Sequence, residues 1–309
     1  MTLQQLRYIV AIDDYRHFGN AAEACDLTQS TLSLLVKKLE EELDVRIFDR
    51  DQRPVAPTEI GQKIIDQARV VLYNASQIQE MIRSEKKVLS GPLRLGLIST
   101  VAPILVPGIF TAISRTYPAL SLRTEEMLTS TLKDKLRKTE IDIGILAEPV
   151  GDPELLEIPL YQERFFAYIS EKDPAYSRED ISMESLLSRP LWIMKNGLQL
   201  FDASEMTPDD DLSYEKYFEG GRVGTLIQIV NENGGVTVIP ETHVQLIPDQ
   251  YRKNLRPIDQ HGRTRTIALV IRKDFIHEAI LNAVIDAIRT IIPAALLDPL
   301  IKNNAHLSL

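Results

Sequence analysis

Cys25 is the only cysteine in 309 residues, which excludes an intramolecular disulfide framework. Set among small residues, it reads as a small buried hydrophobe. No apolar run reaches the length of a membrane span. The first fifteen residues carry Asp13 and Asp14 and have no signal-peptide layout, so the expectation is a cytoplasmic protein with no membrane partner. Positive charge is also scarce: 35 Lys and Arg stand against 44 Asp and Glu, a net charge of -9, which argues against non-specific coating of nucleic acid. The five histidines, at 17, 243, 261, 277 and 306, are scattered without metal-ligand spacing, and no serine sits in a nucleophile elbow. No catalytic centre, metal or cofactor is therefore expected. Gly220-Gly221 suggests a phosphate loop, but no lysine follows at the required spacing.

What is present is organised around the stretch from Phe18 to Leu43. Asn20 to Cys25 is a short helix of small residues, and Asp26-Leu27-Thr28 interrupts it. A second helix then starts at Gln29, with Leu32, Val36, Leu39 and Leu43 spaced as one apolar stripe. Burying that stripe leaves Gln29, Ser30, Thr31, Ser33, Leu34, Lys37 and Lys38 facing outward or sideways. Short hydrogen-bonding groups followed by cations suit a major groove, with amides and hydroxyls on base edges and lysines on phosphates. An ordinary helical hairpin with a solvated face has the same local pattern.

The surrounding residues separate the two readings. Leu6-Arg7-Tyr8, His17-Phe18, Ala21-Ala22, Thr28 to Ser33, Lys38 to Leu43, Ile47 to Arg50 and Pro57 to Gly61 together resemble the N-terminal domain of LysR-type transcriptional regulators over roughly sixty residues. The resemblance implies a dyad-symmetric double-stranded DNA partner and sequence-specific regulation, with RNA polymerase as a further partner. On it, Gln29, Ser30, Thr31, Ser33 and Leu34 are the candidates facing bases and Lys37 a backbone contact. Leu34 departs from the polar or basic residue common at its position in the family. Met1 to Tyr15 should be a helix whose Leu3, Leu6, Tyr8, Ile9, Ile12 and Tyr15 pack under the hairpin. Asp44 to Pro57 should be a two-stranded wing, with Arg53 at its tip against the sugar-phosphate backbone or in the minor groove, or simply solvated. Residues 1–65 hold eight Lys and Arg against eleven Asp and Glu, a balance of -3, so DNA binding requires the cations to be gathered on one face.

Thr58 should cap a helix running from Glu59 to about Lys87. Its apolar positions, Ile64, Val71, Leu72 and Ile78 among them, have no evident partner in the chain and are assigned to dimerisation; packing within one subunit is the alternative. The resemblance implies the same antiparallel helix contact, giving a homodimer or homotetramer. Ser90-Gly91-Pro92 then marks a boundary. Beyond it, strands and helices alternate in two sets, with the chain crossing between them near Tyr161 and Arg265. The expected fold is an α/β effector domain, periplasmic-binding-protein-like with two α/β subdomains, preceded by an all-α winged helix-turn-helix domain and a long linker helix. The limits are 1–58 for the DNA-binding domain, 59–90 for the linker and 91–309 for the effector domain. Subdomain I covers about 91–161 and 266–300, and subdomain II about 162–265. A solute-binding protein would share the clamp, but the N-terminal domain opposes that reading.

Within the family, the effector half is most similar to the peroxide-sensing OxyR branch. The residues that carry this include Gly91-Pro92-Leu93, Gly96-Leu97-Ile98, Thr100-Val101, Ile145-Leu146-Ala147, Ile158-Pro159-Leu160 and Arg265-Thr266-Ile267. That branch places a reactive cysteine in a run matched here by Gly197 to Asp202, where Gln199 stands in place of the thiol and no second cysteine follows. Gln199 cannot cycle through sulfenic acid and disulfide, so no cysteine switch is expected. Thr100, Thr129, Gln199 and Arg222 are the candidates around a cleft holding a small-molecule effector or only water. Arg222 opens a helix, where a cation favours an anionic ligand; it is otherwise a surface arginine.

Overall fold

The computed structural model describes residues 1–49, 52–85, 89–187, 191–194, 217–218, 222–258 and 264–303. Its contacts form two compact units, Met1–Val88 with Asp134–Glu140, and Leu89–Lys133 with Ile141–Leu309.

In the first unit, α1 (Leu3–Tyr15) starts at Thr2, whose hydroxyl accepts from Gln5 N while the Gln5 side chain accepts from Thr2 N at 2.8 Å. Then follow α2 (Phe18–Ala24), α3 (Gln29–Leu43), an antiparallel pair β1 (Phe48–Asp49) and β2 (Ala56–Pro57), and α4 (Glu59–Glu85). The predicted stripe is the core: Leu32, Val36 and Leu39 are sealed against Leu6, Ile9, Ile12, Ala21 and Ala22, and Leu43 packs partly on them. Two expectations for α1 are corrected. Leu3 and Tyr15, at its two ends, are exposed because the hairpin covers only the middle of the helix.

The view of α4 also changes. Ile65 and Ala68 are buried in the first unit's core, and Ile64 and Leu72 pack partly against it, so these last two do have partners in their own chain. Nothing in the apolar pattern of α4 points to α1 as its neighbour, yet Arg69 Nη2 donates to Asp13 Oδ2 at 2.9 Å and also to Asp14. Ile60, Val71 and Ile78 remain exposed. Spaced 11 and 7 residues apart, they lie within about 20° of one direction around the helix.

From Leu89 onward the chain runs β3 (Gly91–Leu97), α5 (Ala102–Thr116), β4 (Leu120–Glu126), α6 (Thr129–Arg137), β5 (Ile143–Ala147), β6 (Leu155–Ile169), α7 (Met183–Leu187), β7 (Leu191–Met194), β8 (Tyr217–Phe218), α8 (Val223–Asn233), β9 (Val236–Pro240), α9 (Asp249–Arg252), β10 (Leu255–Pro257), β11 (Thr264–Arg272), α10 (Glu278–Ile291) and α11 (Pro299–Lys302), all in the second unit except the end of α6 from Asp134. The sheet order is β4-β3-β5-β11-β6-β9-β7-β8, with β10 added on β6. β3 is parallel to β4 and β5, as the crossover helices require, but β11 runs antiparallel to both β5 and β6. The sheet is therefore mixed.

The apolar run from Arg164 to Ile169 is the second half of β6, a fifteen-residue strand. Pro159 and the charges at Glu157 and Glu163 hide its first half from an apolar-run reading. The last long helix begins at Glu278, after a turn in which Phe275 N donates to Arg272 O. β6 and β11 pair from Leu155 to Arg164, with one register shift at Ile267/Ala268, and these two long strands are shared by the two halves of the sheet.

Candidate nucleic-acid interface and ligand cleft

Thr28 fixes the start of α3. Its hydroxyl accepts from Thr31 N at 3.2 Å and lies 3.1 Å from the Ser30 hydroxyl and 2.8 Å from that of Thr31. Thr31 is thus partly committed to the cap. At 100° per residue, Ser30, Leu34 and Lys37 point away from the buried stripe, with Gln29 and Ser33 on one flank and Thr31 and Lys38 on the other. All are exposed except Ser33, which is half-buried. Lys37 stands 3.6 Å from Glu41, an exposed pair that holds it only weakly.

The sequence did not reveal what ties the wing to this helix. Glu40, on α3 itself, accepts from Ile47 N at 2.8 Å and Phe48 N at 3.2 Å. On the other side, the Thr58 hydroxyl donates to Arg46 O at 2.6 Å and accepts from Gly61 N at 2.9 Å, the N-cap anticipated for α4. Arg53 is exposed at the tip. His17 caps α2, its Nδ1 accepting from Gly19 N at 3.1 Å and Asn20 N at 3.2 Å.

In the second unit, a cleft of about 670 Å³ opens between the two halves. One wall is Leu97, the first turns of α5 from Ala102 to Pro107 and the end of β4; the other is the start of α8 with His243, Leu246 and Ile247. Of the four effector candidates, Arg222 lines this cleft. Thr129, at the first turn of α6, does not, and Gln199 lies outside the described residues. Thr100 is also absent from its wall. It is 1% exposed, and its hydroxyl is taken by Arg265 Nη1 at 3.1 Å.

Arg265 belongs to a buried cluster at the crossing of β6 and β11. Its Nε donates to Glu163 Oε1 at 2.9 Å, with Nη2 2.8 Å from the same oxygen. Glu163 Oε2 accepts from Thr242 N at 3.1 Å and from the Thr242 hydroxyl at 2.6 Å. His243 Nε2 donates to Thr100 O at 2.7 Å, which places the proton of the neutral ring on that nitrogen. The cluster joins a turn of one half to a turn of the other. The sequence carried a signal for it: Glu163 occupies an inward position in the alternation Tyr161, Glu163, Phe165, Ala167, as Arg265 does next to Ile267.

Burial holds His243 below the usual histidine value, and the nearby Arg265 acts in the same direction, against the Thr100 hydrogen bond and Glu163. The unfolded chain, titrating near 6.5, therefore takes up this proton first as the pH falls. Stability present above that pH is lost progressively below it, down to the lower folded-state value. His243→Gln should flatten this acid limb when urea midpoints are compared between about pH 5 and 7.5. An unchanged slope would assign the limb to other groups.

Residues 3–62 match the family described as bacterial regulatory helix-turn-helix protein, lysR family, and residues 86–292 match the LysR substrate binding domain. The DNA-binding transcriptional dual regulator OxyR of Escherichia coli K12 is 33% identical over 279 residues, 88% of this chain and 90% of that protein. A full-length OxyR cysteine-to-aspartate variant from Pseudomonas aeruginosa superposes with a TM-score of 0.82 at 33% identity, covering 97% of this chain and 98% of the other. A cysteine-to-serine OxyR variant from Corynebacterium glutamicum with hydrogen peroxide bound gives 0.55 at 28% identity, covering 94% and 96%.

Proposed function

The chain belongs to the LysR family of bacterial transcriptional regulators and is OxyR-like within it, and from that premise we propose how its parts divide the work. Gln29, Ser30, Thr31 and Ser33 face base edges in the major groove, while Lys37 and Arg53 hold the sugar-phosphate backbone. The observation that carries this is the exposed face of α3, opposite its buried stripe and joined to the wing through Glu40. In a salt titration of operator binding, Lys37→Ala should weaken all sequences alike and flatten the salt slope by about one ion. Gln29→Ala should instead relax base preference at one position. Affinity and selectivity unchanged in both variants would sink the assignment.

The exposed row Ile60, Val71 and Ile78 on α4 supports pairing with a second copy, which matches a dyad-symmetric operator. Ile64 and Leu72, half-buried against their own domain, contribute its edge. Val71→Glu should sediment as a smaller species, because the pairing would bury an unpaired carboxylate. Retention of the parent's mass at low concentration would place the contact elsewhere. The domain limits 1–58, 59–90 and 91–309 follow this division of roles.

The cleft is the effector site for a mainly apolar body, with Arg222 as the group that would pair an anion and Glu125 and Glu126 on the same lining limiting where that anion can sit. Regulation works in the cytoplasm through DNA and RNA polymerase. It involves no thiol cycle, since Cys25 is alone in the chain and burial, with Asp26 beside it, pushes its thiol up and away from the reactive thiolate.

A further inference from the structure

The outward row of α3 is polar at both ends and apolar in the middle. Leu34 stands four residues after Ser30 and three before Lys37, nearly opposite the buried Leu32, Val36 and Leu39. It is 54% exposed and is the exposed large apolar side chain of this helix, since Leu35 packs partly into the core. Nothing in its own domain calls for a leucine at that point.

A leucine has neither donor nor acceptor, so it cannot pair with the amino, carbonyl or ring-nitrogen groups that purines and cytosine show in the major groove. Pressed against one of those edges, it would strip water from a polar group and give no hydrogen bond in return. The thymine C5 methyl is the apolar feature of that groove. We propose that Leu34 selects thymine in each half-site by covering this methyl group, an inference that rests on the DNA-binding reading of α3. Ser30 and Ser33 beside it, and Lys37 one turn further on, hold the helix at the depth the contact needs.

Uracil keeps every hydrogen-bonding atom of thymine and lacks only the methyl. With an operator selected from a random duplex pool by the full-length protein, each thymine of a half-site is replaced in turn by deoxyuridine. The expected result is one sensitive position per half-site, weakened about fourfold, the factor for one buried methyl-sized group. Substitution in both half-sites should weaken binding about fifteenfold. In Leu34→Ala that position should become indifferent to uracil, whereas Leu34→Met, which keeps an apolar reach, should retain the preference. Leu34→Ala removes exposed atoms and should keep the parent's thermal midpoint, so a folding defect would be visible separately. An equal uracil effect in parent and Leu34→Ala would overturn the proposal, as would an operator with no uracil-sensitive thymine. A protein that selects no duplex at all would overturn the DNA-binding reading along with it.

Discussion

Arg265→Met should destabilise the second unit by about 3 to 5 kcal/mol, because it leaves the Glu163 carboxylate buried without its cation. The Glu163 side chain is fully enclosed and that of Arg265 is 3% exposed, so water cannot replace the lost partner. Oε2 would keep its two bonds from Thr242, but Oε1 would lose its guanidinium and the Thr100 hydroxyl its donor. The chain's one tryptophan makes the measurement direct. Trp192 lies in this unit, its indole N–H donating to Gly234 O at 2.9 Å, so its fluorescence follows the unfolding of this unit in urea. The double variant Glu163→Leu with Arg265→Met removes both charges and should recover much of the loss, as apolar replacements of buried pairs often do. A single variant within about 1 kcal/mol of the parent would mean that the pair contributes little beyond a surface one.

Gly61→Ala should be nearly as damaging, for a steric reason. A Cβ at residue 61 would lie 1.9 Å from Ile47 O and 2.7 Å from its carbonyl carbon, and neither backbone atom can rotate aside. The first turn of α4 would have to withdraw from the wing, taking with it the bond from Gly61 N to the Thr58 hydroxyl. A loss of about 3 kcal/mol, at the upper end for overpacking, should accompany failure to bind the operator. Gly224→Ala is the control. Nothing stands within 4 Å of its added Cβ, so this helical glycine should accept alanine with stability unchanged or slightly raised. Equal tolerance at both positions would show that the wing gives way without cost.

Local chemistry was legible in the sequence. Thr58 begins a helix as its hydroxyl suggests, and α3 starts at Gln29 with Leu32, Val36 and Leu39 buried as their spacing predicts. Partnerships between distant segments were not. Thr100 resembled a cleft residue until its hydroxyl proved to be held by Arg265, 165 positions later. Ile64 and Leu72 looked unpartnered because periodicity along α4 carries no information about where α1 will lie. Glu40 read as one of three consecutive acids on a helix, and only the fold brings the amides of Ile47 and Phe48 to it.

That carboxylate has a consequence for which operators can be accepted. With one end of the wing pinned to α3 and the other to the cap of α4, the groove-reading helix and the backbone-touching tip of the proposed DNA complex would form a calliper of fixed span. An extra base pair between the bases under α3 and the phosphate under Arg53 could not be absorbed by flexing the wing. It would force the domain to give up one grip to keep the other. On the proposed reading of α3, spacing within a half-site would then be read as strictly as base identity, by residues that never touch a base.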